Sequence, residues 1–369
     1  MSDAKRIESL LLVDPLARDK GHLLDDDLFL AECLSPITDR FEVRSSPESI
    51  ARIRERLRVK CAPLEPAKSS GSLRLDYIRC MFRLRSRGFN RIVFQSFEEI
   101  STIVFMLLHP TVKIDLIVTN NLGLDRFERH PRFAKLIWRL ITWRASTIFL
   151  HCRFEVQFLN KMIGDIDPSK LVVVPFHKML ARGSVRGLDE RKPTVFFMGP
   201  EMAHKTMDPV IDLIKADTRK QYRYVFCGLR EITECNRTFL ESQDNVEIVS
   251  GYLSDDEFYD RISRSMFVII THNRAFEGRL SGLFCDAIAC GTPIIARAIE
   301  PHVEFAERFG DLGYLVDFDD NNWAVRFLAA DVESDFTKFQ RSMELVRQSC
   351  GIEQIRSVFE TALTRNLEQ

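Results

Sequence analysis

The sequence lacks the long apolar segments of a membrane-spanning or exported protein. Its longest apolar runs, such as 103–108 and 267–270, are far shorter than the roughly 20 residues that cross a bilayer. The first residues, 1–12, carry several charges and no apolar region of signal-peptide length. We therefore expect no transmembrane helix and no export by a signal peptide.

Paired cysteines are also missing. The nine cysteines include no C-x-x-C pair, and no two histidines have the spacing of metal ligands, which argues against a structural zinc site. An odd number of cysteines without a secretion signal is typical of reduced, mostly buried thiols. We expect a cytoplasmic protein.

Neither sign of charge is in excess, since 52 Lys and Arg stand against 53 Asp and Glu, for a formal net charge of −1. Nucleic-acid binding normally needs a basic excess, so we expect no nucleic-acid partner. A chain of 369 residues, 45% of them hydrophobic, is instead long enough to bury the cores of two ordinary domains.

Short β-branched segments alternate with helix-length amphipathic segments, which predicts parallel sheets covered by crossover helices. The predicted strands are 10–14, 41–44, 91–95, 112–118, 147–150 and 171–174, then 194–198, 223–227, 246–250, 267–270, 293–296 and 314–316. The turn-rich segment 181–193 separates the two series. The sequence thus predicts two tandem Rossmann-like, doubly wound α/β domains at 1–180 and 194–349, with 181–193 as linker and 350–369 as a C-terminal helix.

Ligands of open parallel sheets bind at the carboxyl ends of the strands. The segment after the first strand contains Gly21 and His22 but no G-x-G-x-x-G, so it predicts no dinucleotide site. The run Asp25, Asp26 and Asp27 then opens a helix. A metal site is one interpretation, but acidic residues in a first helical turn more often complement the helix dipole, and we favour the latter.

The strand ending at Met198 continues into Gly199 and then Lys205 and Thr206. This spacing is that of a phosphate loop, except that His204 replaces the glycine that lets the backbone approach phosphate closely. ATP or GTP hydrolysis is therefore not expected. A lysine at a helix start after a glycine turn can still bind phosphate through its charge and the helix dipole, with a solvated lysine as the alternative.

The loop after strand 267–270 ends at Ser281, a good N-cap residue, and Gly282 leaves the first helical amides uncovered. This arrangement predicts an anion site. The helix that follows is apolar except for Asp286, and it closes at Gly291. A single acid in such a helix either holds sugar hydroxyls or complements the helix dipole.

The segment 277–293 resembles the donor-site signature of GT-B glycosyltransferases, most closely their large retaining family. That signature has an acid, a glycine-containing helix start, a second acid, a small-residue helix and Gly-x-Pro. The pair Gly199 and Lys205 and the segments 172–175 and 301–316 are also similar to the family pattern. The resemblance implies a nucleotide-sugar donor in the second domain, an acceptor in the first, and catalysis in an interdomain cleft.

The sequence departs from the family pattern in two places. Glu277 and Asp286 are separated by eight residues where the family has seven, and the second acid is Asp. The histidine that many members carry after a first-domain strand has no match, because 119–121 reads Thr-Asn-Asn. His22 is the nearest alternative.

The resemblance implies roles for individual residues. Glu277 and His22 are the expected catalytic residues. The donor is expected to be held by Gly199, Lys205, Arg279, Ser281, Gly282 and Asp286, and the acceptor by Gly21 and Asn121. Because lysine, arginine and helix amides can stabilise the departing diphosphate, we expect no metal ion and no cofactor. The acidic run 317–320 is then a loop after the last strand.

The expected function is transfer of a sugar from a nucleotide-sugar to a glycan or lipid-linked acceptor, in cell-surface polysaccharide or glycoconjugate synthesis. The resemblance to the retaining family implies retention of the anomeric configuration. Two alternatives remain. One is a nucleotide-sugar epimerase of the same fold. The other is a catalytically inactive glycosyltransferase-like binding protein.

The segment 126–144 combines six basic side chains with one acid, Glu128, and several aromatic and aliphatic residues, and 74–91 has a similar composition. Such segments suit a surface of anionic lipid. A crossover helix also buries one apolar stripe and solvates the other, so an ordinary basic face is the alternative. We expect attachment to the inner face of the cell membrane.

Overall fold

The computed structural model describes residues 6–15, 23–64, 73–84, 86–119, 121–122, 124–164, 166–182, 185–200, 202–229, 232–251 and 253–365. For 23–25, 73–74 and 125–126 it describes the backbone alone. The chain divides into two compact units. The first is Met1–His177 together with Gly351–Gln369, and the second is Lys178–Cys350.

The first unit is built on a seven-stranded sheet. Its strands are β1 (Ile7–Val13), β2 (Thr38–Ser45), β3 (Lys60–Pro63), β4 (Arg91–Phe94), β5 (Lys113–Ile117), β6 (Thr147–Leu150) and β7 (Leu171–Val173). They are parallel, in the order β3-β2-β1-β4-β5-β6-β7. Every residue of β4 and β6 is buried, as expected of a parallel sheet covered on both faces.

In the described part of the first unit, seven α-helices precede the second unit in the chain. They are α1 (Leu23–Leu34), α2 (Pro47–Arg56), α3 (Leu73–Arg83), α4 (Glu99–Leu108), α5 (Leu124–Arg129), α6 (Pro131–Arg144) and α7 (Arg153–Ile163). Local signals set several of their starts. Ser46 accepts a hydrogen bond from the Ser49 amide at the start of α2, and Glu98 accepts one from the Ser101 amide at the start of α4.

The second unit repeats the architecture with six strands. They are β8 (Lys192–Met198), β9 (Arg223–Cys227), β10 (Val246–Val249), β11 (Ser265–Ile270), β12 (Ile294–Arg297) and β13 (Gly313–Val316), in the parallel order β10-β9-β8-β11-β12-β13. Its helices are α8 (Asp208–Ala216), α9 (Glu234–Glu241), α10 (Asp255–Arg264), α11 (Gly282–Ala289), α12 (His302–Phe309), α13 (Trp323–Leu328) and α14 (Val332–Ser349). All predicted strands are confirmed, and so is the prediction of two doubly wound α/β units.

The strand β3 was not predicted. Its sequence, Lys-Cys-Ala-Pro, contains no β-branched residue and ends in proline, so it lacks a strand pattern. It lies at the edge of the first sheet, where proline is tolerated because one side of the strand has no neighbour. Pairing with β2 therefore creates this strand.

The last helix, α15 (Ile352–Arg365), belongs to the first unit although it follows the second in the chain. Its buried stripe includes Ile355, Phe359 and Leu363, and the Phe359 ring centroid lies 4.6 Å from that of Phe149 in β6. Arg91 in β4 donates a hydrogen bond to the Leu363 carbonyl. The domain boundaries predicted from the sequence treated 350–369 as a separate element, because a helical pattern does not reveal which sheet it covers.

The segment predicted as linker, 181–193, lies in the second unit. Lys192 and Pro193 already belong to β8. The buried Arg191 donates hydrogen bonds to the carbonyls of Ser265, at 2.8 Å, and Gly291, at 2.8 Å. The segment has the composition of a linker, but the Arg191 guanidinium fixes it to the second unit.

Candidate active site

Lys205 lies at the carboxyl end of β8 and is only 8% exposed. Its ammonium group donates a hydrogen bond to the Met198 carbonyl and lies 4.9 Å from the centroid of the Phe197 ring. Gly199 has φ +100°, and a Cβ atom there would lie 2.9 Å from the lysine Nζ. Glycine is therefore required by the backbone conformation, and a larger side chain there would also displace the lysine ammonium.

The position of Lys205 differs from the predicted one. The lysine does not begin a helix, because α8 begins at Asp208. Instead it pairs through its backbone with Met202 and with His272, which follows β11. Lys205 therefore does not lie in the first turn of α8. If helix amides contact a bound anion together with Lys205, they belong to a different helix.

A group of basic and aromatic side chains surrounds His272. Its ring stacks on Phe276 at 3.8 Å, and the Arg279 guanidinium lies 5.6 Å from the same phenyl centroid. Burial, and then the charges of Lys205, His302, His204 and Arg279, hold the pKa of His272 well below its ordinary value. Lys205 and Arg279 thus both make the electrostatic potential at His272 more positive. A positive potential favours the binding of an anion.

Helix α11 begins beside this group. Ser281 is its N-cap, and the serine side chain accepts from the Phe284 amide at 3.5 Å, as the sequence predicted. Gly282 is exposed, and an added Cβ atom there would meet nothing within 4 Å. The start of α11 is therefore open to a ligand, and a helix N-terminus of this kind favours a negatively charged group.

Asp286 is buried in the middle of α11, where the Tyr259 hydroxyl of α10 donates to its Oδ1 at 3.1 Å. Burial and Asp286 raise the pKa of Tyr259, so the phenol remains a donor. From the sequence, two roles were open for this acid: a ligand for sugar hydroxyls or a partner of the helix dipole. The structure adds a third role, the attachment of α11 to α10.

Glu277 is half-buried after the 3-10 turn Arg274–Phe276. Its charge contributes to a raised pKa at Glu300, after the larger effects of burial and of the charges of Glu304 and Glu307. Two carboxyl groups at the ends of β11 and β12 are therefore electrostatically coupled. The sequence analysis did not single out Glu300, because it lies on a different strand end from the motif that contains Glu277.

The residues predicted for the first unit have a mixed outcome. Gly21 and His22 lie outside the described residues. Asn121 is buried, and its amide nitrogen donates to the Phe97 carbonyl at 2.9 Å and to Glu99 at 3.1 Å. The side chain therefore holds the loop before α4 in place.

Two of the three acids in the run at the start of α1, Asp26 and Asp27, are buried and are not solvated partners of the helix dipole. Asp27 is fully buried and accepts hydrogen bonds from the hydroxyls of Ser45 and Ser49, and burial raises its pKa well above the ordinary value. Asp26 is also buried and is bonded to His177. Among the described residues, no group of three or more acidic, histidine or cysteine side chains could hold a metal ion.

No family model matches the sequence, and no curated protein matches it by sequence. Solved structures do match the fold. HepE of Anabaena, in complex with UDP-glucose, has a TM-score of 0.67 at 13% identity over 97% of this chain and 100% of that chain. WaaB, a lipopolysaccharide outer core galactosyltransferase, has a TM-score of 0.63 at 14% identity over 97% and 99% of the two chains.

The fold is not confined to proteins named as transferases. The N-terminal domain of a Candida albicans trehalose-6-phosphate phosphatase has a TM-score of 0.67 at 10% identity over 97% of each chain. At such identities the likeness concerns the fold. The chain has the GT-B fold, which confirms the predicted resemblance at that level.

Proposed function

We propose that the protein is a glycosyltransferase that moves a sugar from a nucleotide-sugar to a glycan or lipid-linked acceptor. The observation that carries this proposal is the placement of two buried cations, Lys205 and Arg279, around His272 and beside the open start of α11. A nucleoside diphosphate would bring the negative charge that this site favours. HepE, which shares the fold, was solved with UDP-glucose.

The chemistry requires little proton transfer from the protein to the leaving group. The acceptor oxygen bonds to the anomeric carbon on the face from which the diphosphate oxygen departs with the bonding electron pair, and the proton of the acceptor hydroxyl passes to that departing oxygen. Lys205, Arg279 and the first amides of α11 stabilise the charge that develops on the diphosphate. Glu277 stabilises the positive charge that develops on the sugar ring.

Calorimetric titration with UDP and activity measurements with a panel of UDP-sugars test the proposal. We expect Lys205→Gln and Arg279→Gln each to lower kcat by about 100-fold or more, because a transition-state hydrogen-bond donor is lost. Arg308→Gln, an exposed arginine on α12, is the matched control and should retain wild-type turnover. Near wild-type turnover of both site variants would place the donor elsewhere.

The resemblance to the retaining family supports retention of the anomeric configuration. NMR of the freshly formed product checks this, since an inverted anomer would contradict it. The charged side chains and helix amides support catalysis without a metal ion. No cofactor is proposed either, since the nucleotide-sugar is itself a substrate.

Two alternatives have their own signatures. An epimerase would interconvert sugar nucleotides in the absence of any acceptor. A catalytically inactive binding protein would bind UDP or a glycan but neither transfer nor hydrolyse any donor. The second alternative is supported by the departures from the family pattern, which are the spacing of Glu277 and Asp286 and the missing histidine at 119–121.

We further propose that the first unit attaches to an anionic membrane surface through an apolar patch on α3, α4 and α6. These helices pack against one another and bury their inner faces in one core cluster. On their outer faces they expose large apolar side chains, among them Trp143 at 68% and Phe82 at 66%. The other large apolar side chains that these three helices expose are Leu75, Leu107, Leu108, Phe133 and Leu136, and together we call this set the patch.

Basic side chains accompany this patch. Arg79 and Arg83 are exposed on α3, and Arg132 and Arg139 are exposed on α6. Each contributes on the order of 1 kcal/mol at a negatively charged lipid surface, while the aromatic rings enter the interface. No described helix is long and apolar enough to cross a membrane. Surface attachment would present a lipid-linked acceptor to the first unit, on the cytoplasmic side of the membrane.

Co-sedimentation with phosphatidylglycerol-containing vesicles tests attachment. We expect binding that weakens with salt, and loss of binding in the double variant Arg132→Glu and Arg139→Glu. The control is Arg52→Glu and Arg56→Glu, two exposed positions on α2 outside the patch. Equal recovery in the supernatant with anionic and uncharged vesicles would contradict the proposal.

A further inference from the structure

Two arginine side chains from distant parts of the second unit hold the C-terminal end of α11. The Arg347 guanidinium of α14 donates to the Ile288 carbonyl at 3.0 Å. The Arg191 guanidinium, just before β8, donates to the carbonyls of Cys290 and Gly291 at 3.3 and 2.8 Å. These carbonyls lie at the end of the helix, where no following helical turn supplies donors. Side chains from other segments therefore fix this end.

Both guanidinium groups are buried, with 6% of Arg191 and 5% of Arg347 exposed. Arg191 also donates to the Ser265 carbonyl at 2.8 Å and to the Thr292 hydroxyl at 2.7 Å. Its five hydrogen bonds within the described residues go to carbonyls and one hydroxyl. Burial, and then the charges of Arg186 and Arg347, lower the pKa of Arg191 from 12.5 to about 10, so it remains charged at neutral pH.

The positive charges have an effect on α11 that neutral donors would not have. A neutral amide could satisfy the same carbonyls without the cost of burying a charge. Cations at this end also offset the negative end of the helix dipole. An anion at the opposite end of α11 is then repelled less by that negative end, while it remains attracted by the positive one.

The start of α11 is not enclosed in this way. Gly282 is exposed, so the side from which a ligand would approach stays open. The helix has eight residues and is about 12 Å long, so it moves as a short rigid rod. The bond from Tyr259 to Asp286 fixes its middle, and the two arginines fix its far end. The position of the first amides is therefore set by contacts made away from them.

We propose that Arg191 and Arg347 are positioning residues for donor binding, which fix the C-terminal end of α11 and thereby the place of its first amides. The inference rests on the proposed function, because it takes the start of α11 as the site of the donor diphosphate. Their hydrogen bonds lie at the opposite end of the helix, so neither arginine is a catalytic residue.

Arg347→Met tests the inference with the smaller disturbance, because Arg191 makes more hydrogen bonds. Calorimetric titration measures binding of UDP and of inorganic pyrophosphate. We expect the Kd for both to rise about three- to tenfold, as for the loss of one hydrogen bond, while the KM for acceptor stays unchanged. Arg347→Lys keeps the charge and a donor, and it should recover most of the affinity.

A control separates positioning from a general loss of stability. Tyr224→Phe removes a buried hydrogen bond to Asp217, 3.0 Å long, between β9 and the end of α8. It should lower the urea midpoint and leave the Kd for UDP unchanged. In the unliganded proteins, the amides of 282–289 should exchange hydrogen faster in Arg347→Met than in the wild type, and at the wild-type rate in Tyr224→Phe.

Circular dichroism checks that each variant is folded, and Arg347→Gln replaces Arg347→Met if the latter is not. A folded variant with the wild-type Kd for UDP would overturn the inference and leave the proposed function standing. An equal rise in Tyr224→Phe would also overturn it. If the wild type binds UDP with the expected dependence on Arg347 but transfers no sugar, the inference is supported and the function contradicted. A wild type that binds neither probe would overturn both.

Discussion

Replacing Lys205 by methionine is expected to stabilise the second unit and to abolish binding of a diphosphate. Burial lowers the pKa of Lys205 from 10.5 to about 8, so the folded protein holds this charge at a cost. The difference between the two pKa values corresponds to about 3 kcal/mol at neutral pH. Loss of the hydrogen bond to the Met198 carbonyl offsets about 1 kcal/mol. We therefore expect a net gain of about 2 kcal/mol.

The pH dependence of this gain has a definite sign. Below pH 8 the lysine is protonated in both the folded and the unfolded chain, and the wild type bears the full burial cost. Between pH 8 and 10.5 the unfolded chain binds more protons than the folded one, so wild-type stability rises with pH. The stability gained by Lys205→Met should decrease across this pH window. Above it, the only remaining difference between variant and wild type is the hydrogen bond that the variant has lost.

Urea unfolding followed by circular dichroism at pH 7 and pH 10 measures both effects, and calorimetric titration with UDP measures binding. A gain of 2 kcal/mol corresponds to a rise in Tm of about 4–8 °C for a domain of this size. Lys192→Met, an exposed lysine on β8, is the control and should change stability little. A destabilised Lys205→Met at pH 7, or a stability gap independent of pH, would refute the reasoning.

Three further predictions concern packing and catalysis. Phe359→Ala should lower the free energy of unfolding by about 3–5 kcal/mol in thermal unfolding, because Phe359 is 1% exposed. Thr361→Ala, on the exposed face of α15, is the control and should lower it little. Equal effects of the two substitutions would contradict the packing of α15 on the first unit. Tyr259→Phe should destabilise the protein by about 1–3 kcal/mol by leaving Asp286 without its phenol donor, and an unchanged urea midpoint would contradict the role of that bond. Transfer activity should survive EDTA, and complete loss with rescue by Mn²⁺ or Mg²⁺ would contradict a metal-independent site.

Local sequence signals determined most of the fold. The continuous apolar runs within β1, β9 and β11 are buried, as in a sheet covered on both faces, and such runs are visible in the sequence. The start of α11 at Gly282 follows from the N-cap residue before it, because a cap needs only neighbours within the same turn. Two series of strands with a turn-rich segment between them were enough to predict two α/β units.

The tertiary structure decided what these elements do together. The pairing of Lys205 with His272, the bond from Tyr259 to Asp286, and the bond between His177 and Asp26 each join segments that are far apart in the chain. No periodicity or spacing encodes such contacts. They arise because parallel strands bring all their carboxyl ends to one edge of a sheet, where burial then sets the charge and the hydrogen bonding of each side chain.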